Sequence, residues 1–77
     1  MVSAVVLVNT DVGEENRVLK SVKSLQEVEE AKVLWGVYDL MVKVKSNSID
    51  TLKKTASGLR NVDGVSNILT LMIVDRP

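Results

Sequence analysis

The chain has 77 residues, with ten basic and ten acidic side chains, no cysteine, no histidine, one Trp, one Tyr and no Phe. That length holds one domain, and the missing Cys and His exclude disulfide frameworks and the ordinary ligands of zinc, copper, haem and iron–sulfur centres. A formal net charge of zero argues against a phosphate-backbone binder, which carries a basic excess.

In chain order, Ala4 to Val8 is continuously apolar and rich in β-branched residues, the pattern of a buried strand. Val accounts for about a fifth of the sequence, which favours sheet. Thr10 or Asp11 then offers a side-chain oxygen to cap a helix, and Glu14 and Glu15 stand at the end of the dipole that favours acids. Val18, Val22 and Leu25 follow at helical spacing, which predicts a helix from about Gly13 to Leu25. Lys32 to Trp35 reads as a second strand, broken at Gly36. Tyr38 to Val44 reads as a third, with Leu40, Val42 and Val44 on one face and Met41, Lys43 and Lys45 on the other. The short Gly36-containing link makes these two a hairpin. Ser46-Asn47-Ser48 supplies a second cap, and Ile49, Leu52, Ala56 and Leu59 form a second helical stripe. After a turn at Asn61 to Gly64, Val65 to Val74 is a long final strand, stopped by Asp75-Arg76-Pro77.

The chain also repeats weakly on itself at an offset of 34. Val6 matches Leu40, Val8 matches Val42, Val18 matches Leu52 and Val22 matches Ala56; Leu25 with Leu59, Val28 with Val62 and Leu34 with Ile68 continue the series. Each half therefore reads strand–helix–strand. Two such halves joined by a hairpin give βαββαβ, the ferredoxin-like α+β arrangement (an α/β plait). Right-handed crossovers put both helices on one face of a four-stranded antiparallel sheet.

Val6, Val8, Leu40 and Val42 then lie under the helices. The opposite face carries Val5, Leu7 and Met41 with Leu69, Leu71 and Ile73, and in a monomer those side chains meet water. Each is worth roughly 1.5–3 kcal/mol when buried, so the pattern predicts a dimer with the two sheets face to face. A one-residue slip of register would exchange the faces.

Little in the chain has the look of catalysis. Asp39 is the best acid–base candidate, but it has no His partner and no second carboxylate at a defined spacing; capping or orienting the hairpin backbone is its structural alternative. Gly13, Gly36, Gly58 and Gly64 do not form a phosphate-cradling loop. Trp35 and Tyr38 flank the hairpin turn, where packing is the commoner use of such rings. RNA binding on this fold needs stacking aromatics on the central strands, and Val5, Leu7 and Met41 are poor substitutes. Copper carriage would need a Cys pair where Asn9-Thr10-Asp11 stands. The expectation is no enzyme, no metal and no cofactor. No apolar run approaches the roughly 20 residues of a membrane span, and no signal-peptide pattern opens the chain, which together suggest the cytoplasm.

Ala4-Val5-Val6-Leu7-Val8-Asn9-Thr10, followed by Gly13-Glu14-Glu15, resembles the opening of the effector-binding domain of the Lrp/AsnC transcription regulators. Val33-Leu34-Trp35-Gly36-Val37-Tyr38-Asp39-Leu40-Met41-Val42-Lys43-Val44 resembles that family's hairpin, a Gly-x-Tyr-Asp turn running into an apolar strand. Leu59-Arg60-Asn61-Val62-Asp63-Gly64-Val65 and the strand after it fit its last segment. The helix-turn-helix domain of the regulators is not seen before the first strand, so the chain resembles the stand-alone versions of this domain, called RAM modules. The resemblance implies sheet-to-sheet homodimers, assembled further into octamers or similar rings, and a small ligand, typically an amino acid, held where dimers meet. By motif, Gly36, Tyr38 and Asp39 would lie at that site, with main-chain N–H groups on the ligand carboxylate and Asp39 fixing the turn or accepting from the amine. Thr70 is a weaker candidate.

Three functions follow from these readings. The first is a ligand-binding regulatory module without direct contact to nucleic acid or membrane. The second is an assembly-only protein that pairs with itself or with full-length Lrp/AsnC regulators. The third is an ACT-type domain, which would pair its sheets side by side and hold its ligand near the first strand–helix loop.

Overall fold

A computed structural model describes residues 1–74; the expected stop at Asp75-Arg76-Pro77 lies outside the described residues. The elements are β1 (Val2–Thr10), α1 (Glu15–Lys23), β2 (Val28–Val33), β3 (Leu40–Ser46), α2 (Ile49–Gly58), a 3₁₀ turn (Leu59–Asn61) and β4 (Val65–Ile73). The strands form one sheet in the order β2-β3-β1-β4, every neighbouring pair antiparallel. This is the βαββαβ ferredoxin-like fold that the repeat requires.

The alternation in β1 and β3 decides which face is covered. Ala4, Val6, Val8, Leu40, Val42 and Val44 are fully buried, and they meet Val18 and Val22 from α1 and Leu52, Ala56 and Leu59 from the second helical segment. Ser48 caps α2 as its type and place suggest, its side chain accepting from the Thr51 N–H at 3.2 Å. Among the described residues, no helix is long and apolar enough to cross a membrane.

Four local expectations are corrected. The first helix is shorter, Glu15–Lys23 rather than Gly13 to Leu25, because Gly13 takes a left-handed φ of 80°. Neither Thr10 nor Asp11 caps it with a side chain; Glu14 is the boundary residue, and the Asp11 carbonyl accepts from the Glu14 N–H at 3.0 Å. The second strand runs from Val28 to Val33, so Leu34 and Trp35 belong to the following loop. Its start is masked in the sequence by Glu29 and Glu30, where a bulge shifts the register against β3 and interrupts the period of two. The link to β3 is correspondingly longer, spanning residues 34–39, and the third strand starts at Leu40 instead of Tyr38. The repeat fades in the same places, since Leu25 and Leu34 are partly exposed where Leu59 is buried and Ile68 packs on the core.

The two sheet edges differ. β2 carries Glu29, Glu30, Lys32 and the bulge, the usual protection of an open edge, whereas no residue from Val65 to Val74 is charged. Gly58 is a separate oddity: it holds an ordinary helical φ of −62°, and a Cβ built there meets nothing within 4 Å. Gly58→Ala is therefore expected to stabilise the domain by about 0.5–1 kcal/mol by restricting the unfolded chain. A denaturant midpoint raised at unchanged slope checks this.

Candidate functional site

The site expected at Gly36, Tyr38 and Asp39 falls in the loop between β2 and β3, where Trp35, Val37 and Tyr38 are strand formers by type but pair with no neighbouring strand. The loop is instead tied to the end of β1. The Asp39 N–H donates to the Val8 carbonyl at 2.9 Å, and the Leu34 N–H donates to the Asp39 carbonyl at 2.8 Å, closing the base. The Asp39 carboxylate accepts through Oδ2 from the Thr10 N–H at 2.8 Å and from Thr10 Oγ1 at 3.3 Å. Asn9 Nδ2 donates to the Val37 carbonyl at 2.8 Å. A carboxylate accepting from a backbone N–H is one of the stronger protein hydrogen bonds, and here it makes Asp39 a clamp.

These bonds use neither the Gly36 N–H nor the Tyr38 N–H as donor, and Tyr38 is half-buried beside the clamp. Gly36 has a φ of 159°, close to extended backbone. At the tip, Trp35 and Val37 stand in water, and Val12 from the neighbouring β1–α1 loop is fully exposed too. Thr10 and Asn9 are the residues that sequence reasoning did not assign to the clamp. Their partners are 28 and 29 positions away, and no local pattern signals such a pairing.

Thr70 is placed elsewhere. It pairs with Val6 across β1·β4, so it belongs to the helix-facing side of the edge strand, and β1 separates it from the Gly36–Asp39 loop. It lines a shallow cleft with Lys53, Ala56, Ser57 and Met72. Within one chain the structure brings Gly36, Tyr38 and Asp39 together and leaves Thr70 apart. Among the described residues, clefts of about 310–320 Å³ open beside Gln26 and Lys45, beside Ile49 and Met72, and beside Lys53 and Thr70, and these three are not lined by a residue of the 34–39 loop. Among the described residues, no group of three His, Cys, Asp or Glu is placed to hold a metal ion.

The open sheet face has the expected composition. Leu7 stands between Met41 and Leu69, Val5 between Lys43 and Leu71, and Ser3 between Lys45 and Ile73. Leu69, Leu71 and Ile73 are 42%, 47% and 40% exposed, and Val5, Leu7 and Met41 are partly exposed. Toward β2 the face turns charged. Glu29 pairs with Lys45 at 2.8 Å and Lys43 at 3.5 Å, and Lys45, followed by Lys43, draws the Glu29 carboxyl below its ordinary pKa. One half of the face is thus apolar and the other carries a solvated ion-pair cluster.

Among solved structures, the chain is similar to FFRP-DM1 (31% identity, TM-score 0.91, covering 96% of this chain and all of that one). It is similar to hypothetical protein PHS023 from Pyrococcus horikoshii (30% identity, TM-score 0.89, covering 99% and 93%). It is also similar to E. coli AsnC (26% identity, TM-score 0.87, covering 99% of this chain), of whose length it spans 52%. Comparison with curated proteins finds no match. Residues 3–77 match the family described as the Lrp/AsnC ligand binding domain. With its pinned Gly-x-Tyr-Asp loop, its half-apolar open sheet and a match over nearly its whole length, the chain belongs to the Lrp/AsnC ligand-binding-domain family.

Proposed function

We propose that this protein is a regulatory module that binds a small molecule, an amino acid above other classes, and works through its own assembly. Its unit is a homodimer closed through the open sheet faces, by Val5, Leu7, Met41, Leu69, Leu71 and Ile73. The ligand sits at the Gly36–Asp39 loop, with the Gly36 and Tyr38 N–H groups available to a carboxylate. The observation that carries this reading is the loop itself, held rigid from beneath by Asp39, Thr10 and Asn9 while those two donors stay free of its internal bonds. A rigid donor pair costs little ordering when a ligand binds. In this reading a neighbouring subunit completes the site, with Thr70 of another copy as a further contact; the three clefts described above do not include the loop. Octamers or similar rings of dimers, co-assembly with full-length Lrp/AsnC regulators, and work in the cytoplasm without direct nucleic-acid contact belong to the same proposal.

The test is thermal unfolding against the twenty amino acids, with mass read by light scattering on the same samples. A ligand at 100 times its Kd stabilises by roughly 2.7 kcal/mol, and a domain of this size gains about 4–8 °C per kcal/mol. The expected result is a shift of roughly 10–20 °C with one or a few amino acids. Asp39→Ala removes the clamp and is expected to abolish that shift while the mass stays dimeric. Asp39→Asn keeps an oxygen for the Thr10 N–H and loses the charge, so a lost response in both variants points to the ligand's amine, and a response kept by Asn alone points to the clamp.

The occupied Asp39 carboxylate favours one second reading, in which the loop is an assembly element with no ligand. A flat response to every amino acid at constant mass selects it.

A further inference from the structure

The turn before β4 joins a reactive sequence to a tight place in the fold. Asp63 is the only Asp or Asn of the chain that precedes a glycine. The Val62 carbonyl accepts from the Val65 N–H at 3.0 Å, and Gly64 holds a left-handed φ of 97°, the type II turn that needs glycine in third place. The Asp63 side chain is 92% exposed, and its bond at 3.0 Å joins it to Arg17, which is half exposed and shared with Glu14. An exposed pair of that kind holds a carboxylate weakly. Among the described residues, the Gly64 N–H is a donor in none of the turn's hydrogen bonds. A carboxyl free to turn therefore stands next to an amide with no side chain to shield it.

We infer that Asp63–Gly64 is a site of spontaneous main-chain isomerisation, and that conversion there unfastens the clamp on the Gly36–Asp39 loop. The Gly64 nitrogen attacks Asp63 Cγ; the N–Cγ bond forms, and one carboxyl oxygen leaves as water, taking the amide proton and the proton of the carboxyl. Water then opens the cyclic imide. Attack at Cγ restores aspartate, whereas attack at the Asp63 main-chain carbonyl breaks its bond to the Gly64 nitrogen and leaves the chain running through Cγ as isoaspartate. Nothing is oxidised or reduced, and the final mass equals the starting mass. The product carries one extra methylene in the main chain, where the fold has little slack. A Cβ built on Gly64 lies 2.8 Å from Val18, which is fully buried, so the turn has no room to move toward α1. The Gly64 carbonyl accepts from the Asp11 N–H at 2.8 Å, and the next residue, Val65, pairs with Thr10. Thr10 in turn gives its N–H to the Asp39 carboxylate. A lengthened turn thus pulls on β1 at the residue that holds the loop. No ligand and no second copy enters this step.

The test ages the whole chain in neutral buffer over weeks, digests it and maps the peptides. An isoaspartyl peptide elutes apart at unchanged mass, which separates this product from a deamidated asparagine. A free peptide spanning residues 60–67, aged alongside, shows that the conditions suffice. The protein is expected to collect isoaspartate at position 63 ahead of every other aspartate. Converted chains, separated by chromatography, are expected to unfold at lower urea and to exchange the Thr10 and Asp39 amide protons about tenfold faster. Asp63→Glu keeps a carboxylate for Arg17 but would need a larger ring that closes more slowly. That variant is expected to stay unconverted and to keep the slow exchange after the same ageing. Conversion of the free peptide with none at position 63 of the folded chain overturns the inference. Isoaspartate at position 63 with Thr10 and Asp39 exchange unchanged overturns its link to the clamp.

Discussion

Replacing Gly64 with Ala is expected to cost the domain about 2–4 kcal/mol, out of the roughly 4–12 kcal/mol that a chain of this length holds. Two penalties act together there. Gly64 has a φ of 97°, and a Cβ built on it lies 2.8 Å from Val18 Cγ2 and 3.0 Å from Arg17 Nη2. A left-handed backbone costs a non-glycine residue about 1–2 kcal/mol. The Arg17 tip can swing aside, but Val18 is a fully buried core residue whose neighbours hold it, and overpacking of that kind costs about 1–3 kcal/mol. The Gly64 carbonyl also accepts from the Asp11 N–H at 2.8 Å, so a shift of the turn would disturb the end of β1. Gly13→Ala is the control, since Gly13 has a φ of 80° and open space around it; it is expected to carry only the backbone cost of about 1–2 kcal/mol. Urea midpoints of the two variants separate crowding from strain, and equal losses would show that Val18 yields freely.

The covered face was readable from the residues for a physical reason. A strand that buries one face must alternate, and Val6-Val8 and Leu40-Val42-Val44 do so without interruption. Ser48 was readable because a cap acts on a neighbour three positions away. The second strand was not, because an edge strand needs only one or two inward residues and β2 spends its other positions on charge. Thr10 shows the opposite difficulty: the side chain looks like a helix cap, but its partner is Asp39, reached across the sheet. For the candidate site, the Gly-x-Tyr-Asp turn could be located from its residues, whereas its attachment to Asn9 and Thr10 depends on which strands become neighbours. Thr70 could have been sorted earlier. Once Leu69, Leu71 and Ile73 are assigned to the open face, the period of two puts Thr70 on the other.

The second large effect concerns Leu7. It sits on a central strand of the open face, flanked by Met41 on one side and Leu69 on the other, at the middle of the apolar half. Leu7→Glu is expected to turn a dimer into a monomer, since an unpaired charge closed between two apolar sheets costs on the order of 3–5 kcal/mol. That is roughly two to three orders of magnitude in the dimer constant. The isolated domain tolerates the change, because the Leu7 side chain is partly exposed in the single chain and contributes nothing to the helix-side core. Analytical ultracentrifugation gives the mass and far-ultraviolet circular dichroism the fold. A folded Leu7→Glu dimer would show that the sheets do not meet through this face. Lys43→Glu, at the charged margin, is expected to shift the salt dependence of the dimer with a much smaller loss of affinity.

The place of β1 in the sheet also governs how the chain reaches its final form. Both neighbours of β1 lie far along the chain, and in β4 the partner of Ser3 is Ile73, 70 positions later. Each such closure spends chain entropy before its contacts can compensate, which places the expected folding time between the microseconds of helical domains and the milliseconds to seconds of all-β folds. During synthesis β1 waits for β4 with one edge unpaired and its apolar residues uncovered. The charge-free stretch from Val65 to Val74 is therefore the stretch whose late arrival leaves nascent chains open to wrong pairing with one another.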